Sequence, residues 1–148
     1  MKPALTLATL LLAAAATAAH AMPGAGASTP HGAAPTAAAP VKKVAKATGP
    51  DARTVAEVVA GKAALKGKPV LVHAQVVKVT QGVMGKNWVH LQDGSGKAAD
   101  GTHNVIATTK DTVAVGDVVN AKGTVRTDVN IGAGYSYAVL IEDAVLRK

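Results

Sequence analysis

The alternation of apolar and polar residues is clearest from Lys68 onward, where every second position is apolar. A period of two is typical of a β-strand with one buried face. The apolar positions of this stretch are Val70, Val72, Ala74 and Val76. The alternation then changes phase to Val77 and Val79, and a shift of one residue within a long strand predicts a β-bulge that bends it.

Four further short strands follow, separated by Gly-, Asp- and Ser-rich turns such as Asp93–Gly96. They are predicted at Trp88–Asp93, His103–Thr109, Asp117–Arg126 and Ala138–Leu146. A short helix is predicted before the first strand, over Asp51–Ala60, with Asp51 as N-cap and Gly61 at its end. The pattern therefore predicts an all-β domain of five strands, a small sandwich or barrel with a short N-terminal helix.

The first fifty residues are predicted to stand outside this domain. Lys2 precedes an uncharged apolar run that ends in Ala19-His20-Ala21, the arrangement of a secretory signal peptide over residues 1–21. The run is shorter than the approximately 20 apolar residues of a membrane-spanning helix. Residues 22–50 are rich in Ala and Pro without apolar periodicity, which predicts a disordered linker. We expect a periplasmic protein whose folded domain spans residues 51–148, with no transmembrane segment after cleavage.

Composition removes several classes of function. The chain has no Cys, which excludes disulfides, thiolate zinc sites and cysteine nucleophiles. The net charge of +7 is divided into +1 in residues 1–21, +3 in residues 22–50 and +3 in residues 51–148. The predicted domain is thus only mildly basic, which makes nucleic acid a less favoured partner. No catalytic motif is present, such as a P-loop or G-x-S-x-G, so we expect a non-enzymatic protein.

Two short runs resemble the OB-fold. Trp88-Val-His-Leu-Gln-Asp-Gly-Ser-Gly96 is similar to the second strand of anticodon-binding OB domains, and Val115-Gly-Asp-Val-Val-Asn-Ala-Lys-Gly-Thr-Val125 is similar to their fourth strand. A lone small domain behind a signal peptide also resembles the bacterial periplasmic OB-fold families known as nucleotide-binding or stress-tolerance proteins. The resemblance covers roughly residues 55–146 and implies a five-stranded Greek-key barrel. It does not by itself imply a function.

One cluster of side chains has the chemistry of a soft-metal site. Trp88 and His90 share a strand face, opposite Val89 and Leu91, and Met84 lies in the hairpin before them. A thioether and a neutral imidazole suit Cu(I), and an indole face attracts a cation. The set partly resembles the periplasmic copper chaperone of metal efflux systems, although that family uses two Met and one His near the Trp. His103 is a further candidate ligand.

Two other functions use overlapping residues. Trp88, Tyr135 and Tyr137, with Lys86, are candidates for binding a nucleic acid, a nucleotide or a small anion, because aromatic rings stack on bases and Lys attracts phosphate. The domain is alternatively a protein-interaction accessory of an envelope respiratory or stress system. The simplest structural interpretation gives the cluster no ligand: Trp88 closes one barrel end, His90 lies on the surface and Met84 caps the core.

Overall fold

The structure is a computed structural model that describes residues 40–148. The predicted signal peptide, residues 1–21, and the linker up to residue 39 lie outside the described residues. Within residues 40–148, none of the helices has the length and apolar character needed to cross a membrane.

The predicted N-terminal helix is present, but it begins later than predicted. α1 spans Val55–Ala60 and is followed by the single turn α2, Lys62–Leu65. The N-cap is Thr54 and not Asp51, because Thr54 and Glu57 form a capping box: Thr54 Oγ1 accepts from Glu57 N at 3.1 Å, and Glu57 Oε2 accepts from Thr54 N at 2.7 Å. The T-x-x-E spacing that carries this box is visible in the sequence and was the stronger start signal.

Five strands form one sheet that closes into a ring in the order β1-β2-β3-β5-β4. The strands are β1 Pro69–Val83, β2 Lys86–Gln92, β3 Val105–Thr109, β4 Val118–Gly132 and β5 Tyr135–Arg147. All neighbouring pairs are antiparallel except β3 and β5, which are parallel. The prediction of a five-stranded, mostly β domain is confirmed. β4 and β5 are longer than predicted, because their ends pair with each other beyond the ring.

The predicted bulge in β1 is also confirmed. Val76 pairs with Leu91 and Lys78 pairs with His90, so the register shifts by one residue between them. Before the shift, the alternating apolar side chains of β1 face the core; Val70, Val72, Ala74 and Val76 are buried there. After the shift, Lys78 and Thr80 stand on the same outer face as His90 and Trp88 of β2.

Asp93 connects the helix to the sheet. Its buried carboxylate accepts from Val55 N at 2.9 Å and from Ser95 N at 2.9 Å. The N-terminal segment joins the same region, since Val44 N donates to Asp93 O at 2.9 Å. Lys42 N also donates to Gln75 Oε1 at 3.0 Å. The last part of the predicted linker is therefore attached to the ring.

Two tight hairpins position the candidate site. The β1–β2 turn consists of Met84 and Gly85, both with positive φ (55° and 73°), and the β4–β5 turn consists of Ala133 and Gly134, at 53° and 80°. Two-residue turns with positive φ at both positions match the twist of antiparallel strands. The projecting β4–β5 hairpin, residues 127–139, is called the arm below.

Candidate functional site

A cavity of about 370 Å³, called the aromatic cavity below, lies between the outer face of β1, β2 and β3 and the arm. The two sides are far apart in sequence, and they meet because the ring order places β5 beside β3. One side carries Trp88, His90 and Ile106, and the arm contributes aliphatic and aromatic side chains. The remaining lining residues are Lys78, Thr80, Val83, Ile131, Tyr135 and Tyr137.

Trp88 is part of the cavity wall and is fixed on two sides. As predicted from the sequence, it shares the cavity with His90, while Val89 and Leu91 are buried in the core. It is nevertheless only 7% exposed, because the ring of Tyr137 covers it at a centroid distance of 5.2 Å. Its Nε1 donates to Val83 O at 3.0 Å. Both ends of the side chain are therefore fixed, and the remaining ring surface faces the cavity.

The polar part of the lining comes from β1 and β2. Lys78 makes no salt bridge with any residue in the described range, so its ammonium group is available to an anion. His90 is half-buried and its Nδ1 lies 3.3 Å from Asn104 Nδ2. Burial lowers the pKa of His90, the positive charge of Lys78 lowers it further, and the bond with Asn104 partly offsets both effects. The imidazole is therefore neutral at pH 7.

The two tyrosines of the cavity lining differ in exposure. Tyr137 is half-buried against Trp88, whereas Tyr135 is 61% exposed at the tip of the arm. They are two residues apart on β5 and both line the cavity, as their shared strand face predicts. The structure thus brings together three of the predicted ligand-binding residues, Trp88, Tyr135 and Tyr137.

Lys86 does not join them. Its ammonium group forms a salt bridge with Asp143 at 2.6 Å, which raises the pKa of Lys86 and lowers the pKa of Asp143. These two residues line a separate cavity of about 450 Å³ together with Lys110 and Asp111. Lys78 provides the cation of the aromatic cavity instead. The sequence signal for Lys78 was the phase change of β1, which predicts that its side chain leaves the core face.

The predicted metal ligands are only partly brought together. His90 and Trp88 share the cavity, but Met84 is 67% exposed in the hairpin turn and does not line it. His103 lies before β3, and its Nδ1 is buried without a hydrogen-bond partner among the described residues. Within residues 40–148, no group of three or more His, Cys, Asp or Glu side chains is arranged to hold a metal ion. Soft-metal binding stays a prediction.

Comparison with protein-family models, curated proteins and solved structures returns no match for this chain. What the cavity can bind therefore follows from its geometry: a largely apolar wall accompanied by Lys78, a cation without a salt-bridge partner within residues 40–148.

Proposed function

We propose that residues 40–148 form an OB-fold binding module and that the aromatic cavity is its ligand site. The ring order β1-β2-β3-β5-β4 and the bulged first strand support the fold assignment. OB-folds bind ligands on the outer face of their second and third strands, between the loops that follow the first and fourth strands. The aromatic cavity occupies the corresponding position between the two hairpins.

The ligand that best fits the cavity combines a planar or apolar group with an anionic group, as a nucleotide does. The observation that carries this proposal is that three aromatic rings and Lys78, which has no salt-bridge partner among the described residues, line one cavity of about 370 Å³. That volume lies in the range of small-molecule sites, which are mostly apolar with a few polar groups that fix orientation. A ring stacks beside Trp88 and Tyr135, and the anion approaches Lys78.

The proposed activity is binding without catalysis. The ionisable side chains of the lining are Lys78, His90 and the two tyrosines, and no carboxylate accompanies the imidazole. An acid–base or nucleophilic mechanism needs a second group that orients or activates the first. Export to the periplasm is part of the same proposal and rests on the sequence of residues 1–21.

Titration with adenosine 5′-monophosphate and phenyl phosphate tests the proposal, with adenosine and inorganic phosphate as the separated halves. Trp88 is the only Trp in the chain, so its fluorescence reports occupancy directly. Lys78→Gln is expected to weaken binding of the anionic probes about tenfold, the size of one lost charge-assisted hydrogen bond. Tyr137→Leu is expected to weaken the binding of adenosine 5′-monophosphate and of phenyl phosphate.

Lys86→Gln is the matched control, because it removes the same charge outside the aromatic cavity. It is expected to leave Kd within twofold of the parent. Binding that is equally sensitive to Lys78→Gln and Lys86→Gln would reflect the net charge of the domain and would contradict a defined site. Absence of any Trp88 response to all four probes would reject this class of ligand.

Binding of Cu(I) is a second candidate function, favoured by the neutral imidazole of His90 beside the indole of Trp88. The donor set fits in part, because the Met84 thioether does not line the cavity. Competition with a chromophoric Cu(I) chelator under reducing conditions measures this affinity. If Cu(I) binding is the function, Met84→Ala and His90→Ala each weaken it, whereas the control His73→Ala does not. Equal Cu(I) affinities in all three variants would exclude this metal site.

A further inference from the structure

β5 has a neighbouring strand on only one side along its first five residues. Its parallel pairing with β3 consists of Ile106 with Leu140 and Ala107 with Ile141, and it does not reach further toward the arm. From Tyr135 to Val139, β5 pairs with β4 alone among the described residues. The outer backbone groups of this stretch, called the β5 edge below, therefore have no β-strand partner within residues 40–148.

The sequence of the β5 edge lacks the features that normally block strand pairing. Natural proteins protect a free edge with charged residues, Pro or a bulge. The edge reads Tyr-Ser-Tyr-Ala-Val, with no charge and no Pro, and both Ser136 and Ala138 are exposed. Other stretches within residues 40–148 also have a neighbouring strand on one side only, among them residues 78–83 of β1 and residues 126–132 of β4. The first carries Lys78 and the positive-φ Gly82, and the second carries Arg126 and the positive-φ Asp128. The β5 edge differs from both, because it has neither a charged residue nor a residue with positive φ.

The β5 edge is continuous with the aromatic cavity. Tyr135 and Tyr137 belong to the edge and line the cavity, and Ile106 lies where the pairing with β3 ends. A strand added to this edge directs alternate side chains toward the same face as the two tyrosines. Recognition by strand addition works in this way: main-chain hydrogen bonds provide affinity, and pockets for alternate side chains provide specificity.

We propose that the natural ligand of the cavity is an extended segment of a partner protein, added to the β5 edge as a further strand. This inference rests on the proposed function and names the ligand class. One apolar or aromatic side chain of the segment enters the cavity beside Trp88. An acidic side chain two positions away lies on the same face and pairs with Lys78, which has no salt-bridge partner among the described residues.

The test uses the full chain and the probe peptide acetyl-Ser-Thr-Phe-Thr-Glu-Thr-Ser-amide, in which Phe and Glu stand two positions apart. The peptide has no Trp, so Trp88 fluorescence reports its binding. Two further peptides carry N-methyl groups on alternate residues, one on the odd positions and one on the even positions. In a β-ladder only alternate N–H groups face a given neighbour. We expect one N-methylated peptide to lose at least tenfold in affinity and the other to bind like the parent.

Hydrogen exchange locates the bound segment. We expect slower amide exchange in residues 135–139 on addition of the parent peptide and no change in the free edge of β1, residues 78–83. Lys78→Gln is expected to weaken the parent peptide about tenfold, whereas Lys86→Gln is not. For a peptide in which Gln replaces Glu, Lys78→Gln is not expected to reduce the affinity further.

The outcomes separate this inference from the proposed function. If phenyl phosphate binds but the parent peptide does not, or if both N-methylated peptides bind like the parent, strand addition is overturned and the cavity remains a small-ligand site. If no probe changes Trp88 fluorescence, the proposed function fails and this inference fails with it. The chain could instead form a concentration-dependent dimer in which amide exchange of residues 135–139 is slowed without any peptide. That result would assign the β5 edge to a second copy of the chain and would overturn the proposal of a partner protein.

Discussion

Asp93 is the side chain on which the connection between α1 and the sheet depends. Its Oδ2 accepts from Val55 N, the first residue of α1, and its Oδ1 accepts from Ser95 N in the following turn. The Ser95 hydroxyl in turn accepts from Ala56 N at 3.0 Å. The sequence predicts a turn at Asp93–Gly96, but it does not reveal that this turn provides acceptors for a helix start 38 residues earlier.

Asp93→Ala is expected to lower the free energy of unfolding by about 3 kcal/mol, because it leaves the amide of the fully buried Val55 without an acceptor. Urea denaturation followed by Trp88 fluorescence measures the change. Asp100→Ala is the control, since this exposed carboxylate lies in the same β2–β3 connection. It is expected to change stability by less than about 0.5 kcal/mol. Similar losses in both variants would contradict the role of Asp93.

His90 is expected to make stability depend on pH. Burial lowers its folded-state pKa below the ordinary value of 6.5, so the unfolded chain takes up the proton first as the pH falls. The contribution is therefore fully present above pH 6.5 and is lost as the pH falls through the folded pKa. Unfolding free energies measured from pH 7.5 to pH 5 should fall more steeply in the parent than in His90→Gln. Parallel curves would show that His90 titrates alike in both states.

At the scale of elements, the sequence predicts the strands that face the core better than the strand ends that leave it. The alternation at Val70–Val76 and its phase change reproduce β1 and its bulge, because burial on one face enforces the period. The end of β4, residues 127–132, also alternates, but its Val129 and Ile131 stand between Asp128, Asn130 and Gly132, and Asp, Asn and Gly are depleted in strands and typical of turns. This segment pairs with the start of β5 outside the core, where its apolar side chains are only partly buried.

Gly123 allows β4 and β5 to approach closely where their register shifts. A Cβ atom at this position would lie 2.6 Å from Ile141 Cγ2 and 2.8 Å from Glu142 O, and the second of these is backbone that cannot rotate away. Gly123→Ala is therefore expected to lower the free energy of unfolding by about 1–3 kcal/mol. Lys122→Ala changes an exposed neighbour on the same strand and should have little effect in the same denaturation experiment. An equally stable Gly123→Ala variant would mean that the two strands separate without loss.

At the scale of the whole molecule, the candidate site depends on topology that no single segment encodes. The i, i+2 spacing predicts that Trp88 and His90 share a face and that Tyr135 and Tyr137 share another. It does not predict that these two faces meet, because the contact follows from β5 lying beside β3. The position of Lys86 outside the aromatic cavity is unpredictable for the same reason, because its salt bridge with Asp143 joins positions 57 residues apart. The phase change of β1 indicates that Lys78 leaves the core face, but nothing in the sequence indicates that Lys86 is paired outside the aromatic cavity.

The contact between Trp88 and Tyr137 is expected to hold the arm against the ring. The rings lie 5.2 Å apart with a tilt of 31°, and an aromatic pair of this kind stabilises by about 0.5–1.5 kcal/mol beyond the area it buries. A double-mutant cycle with Trp88→Leu and Tyr137→Leu, followed by circular dichroism because the Trp is lost, should give a coupling energy in that range. The control cycle pairs Trp88→Leu with Val118→Ala, an exposed position on β4 that does not line the aromatic cavity, and should give additive effects. If the first cycle is also additive, the arm is held by its β4–β5 ladder alone and the cavity does not depend on the two rings meeting.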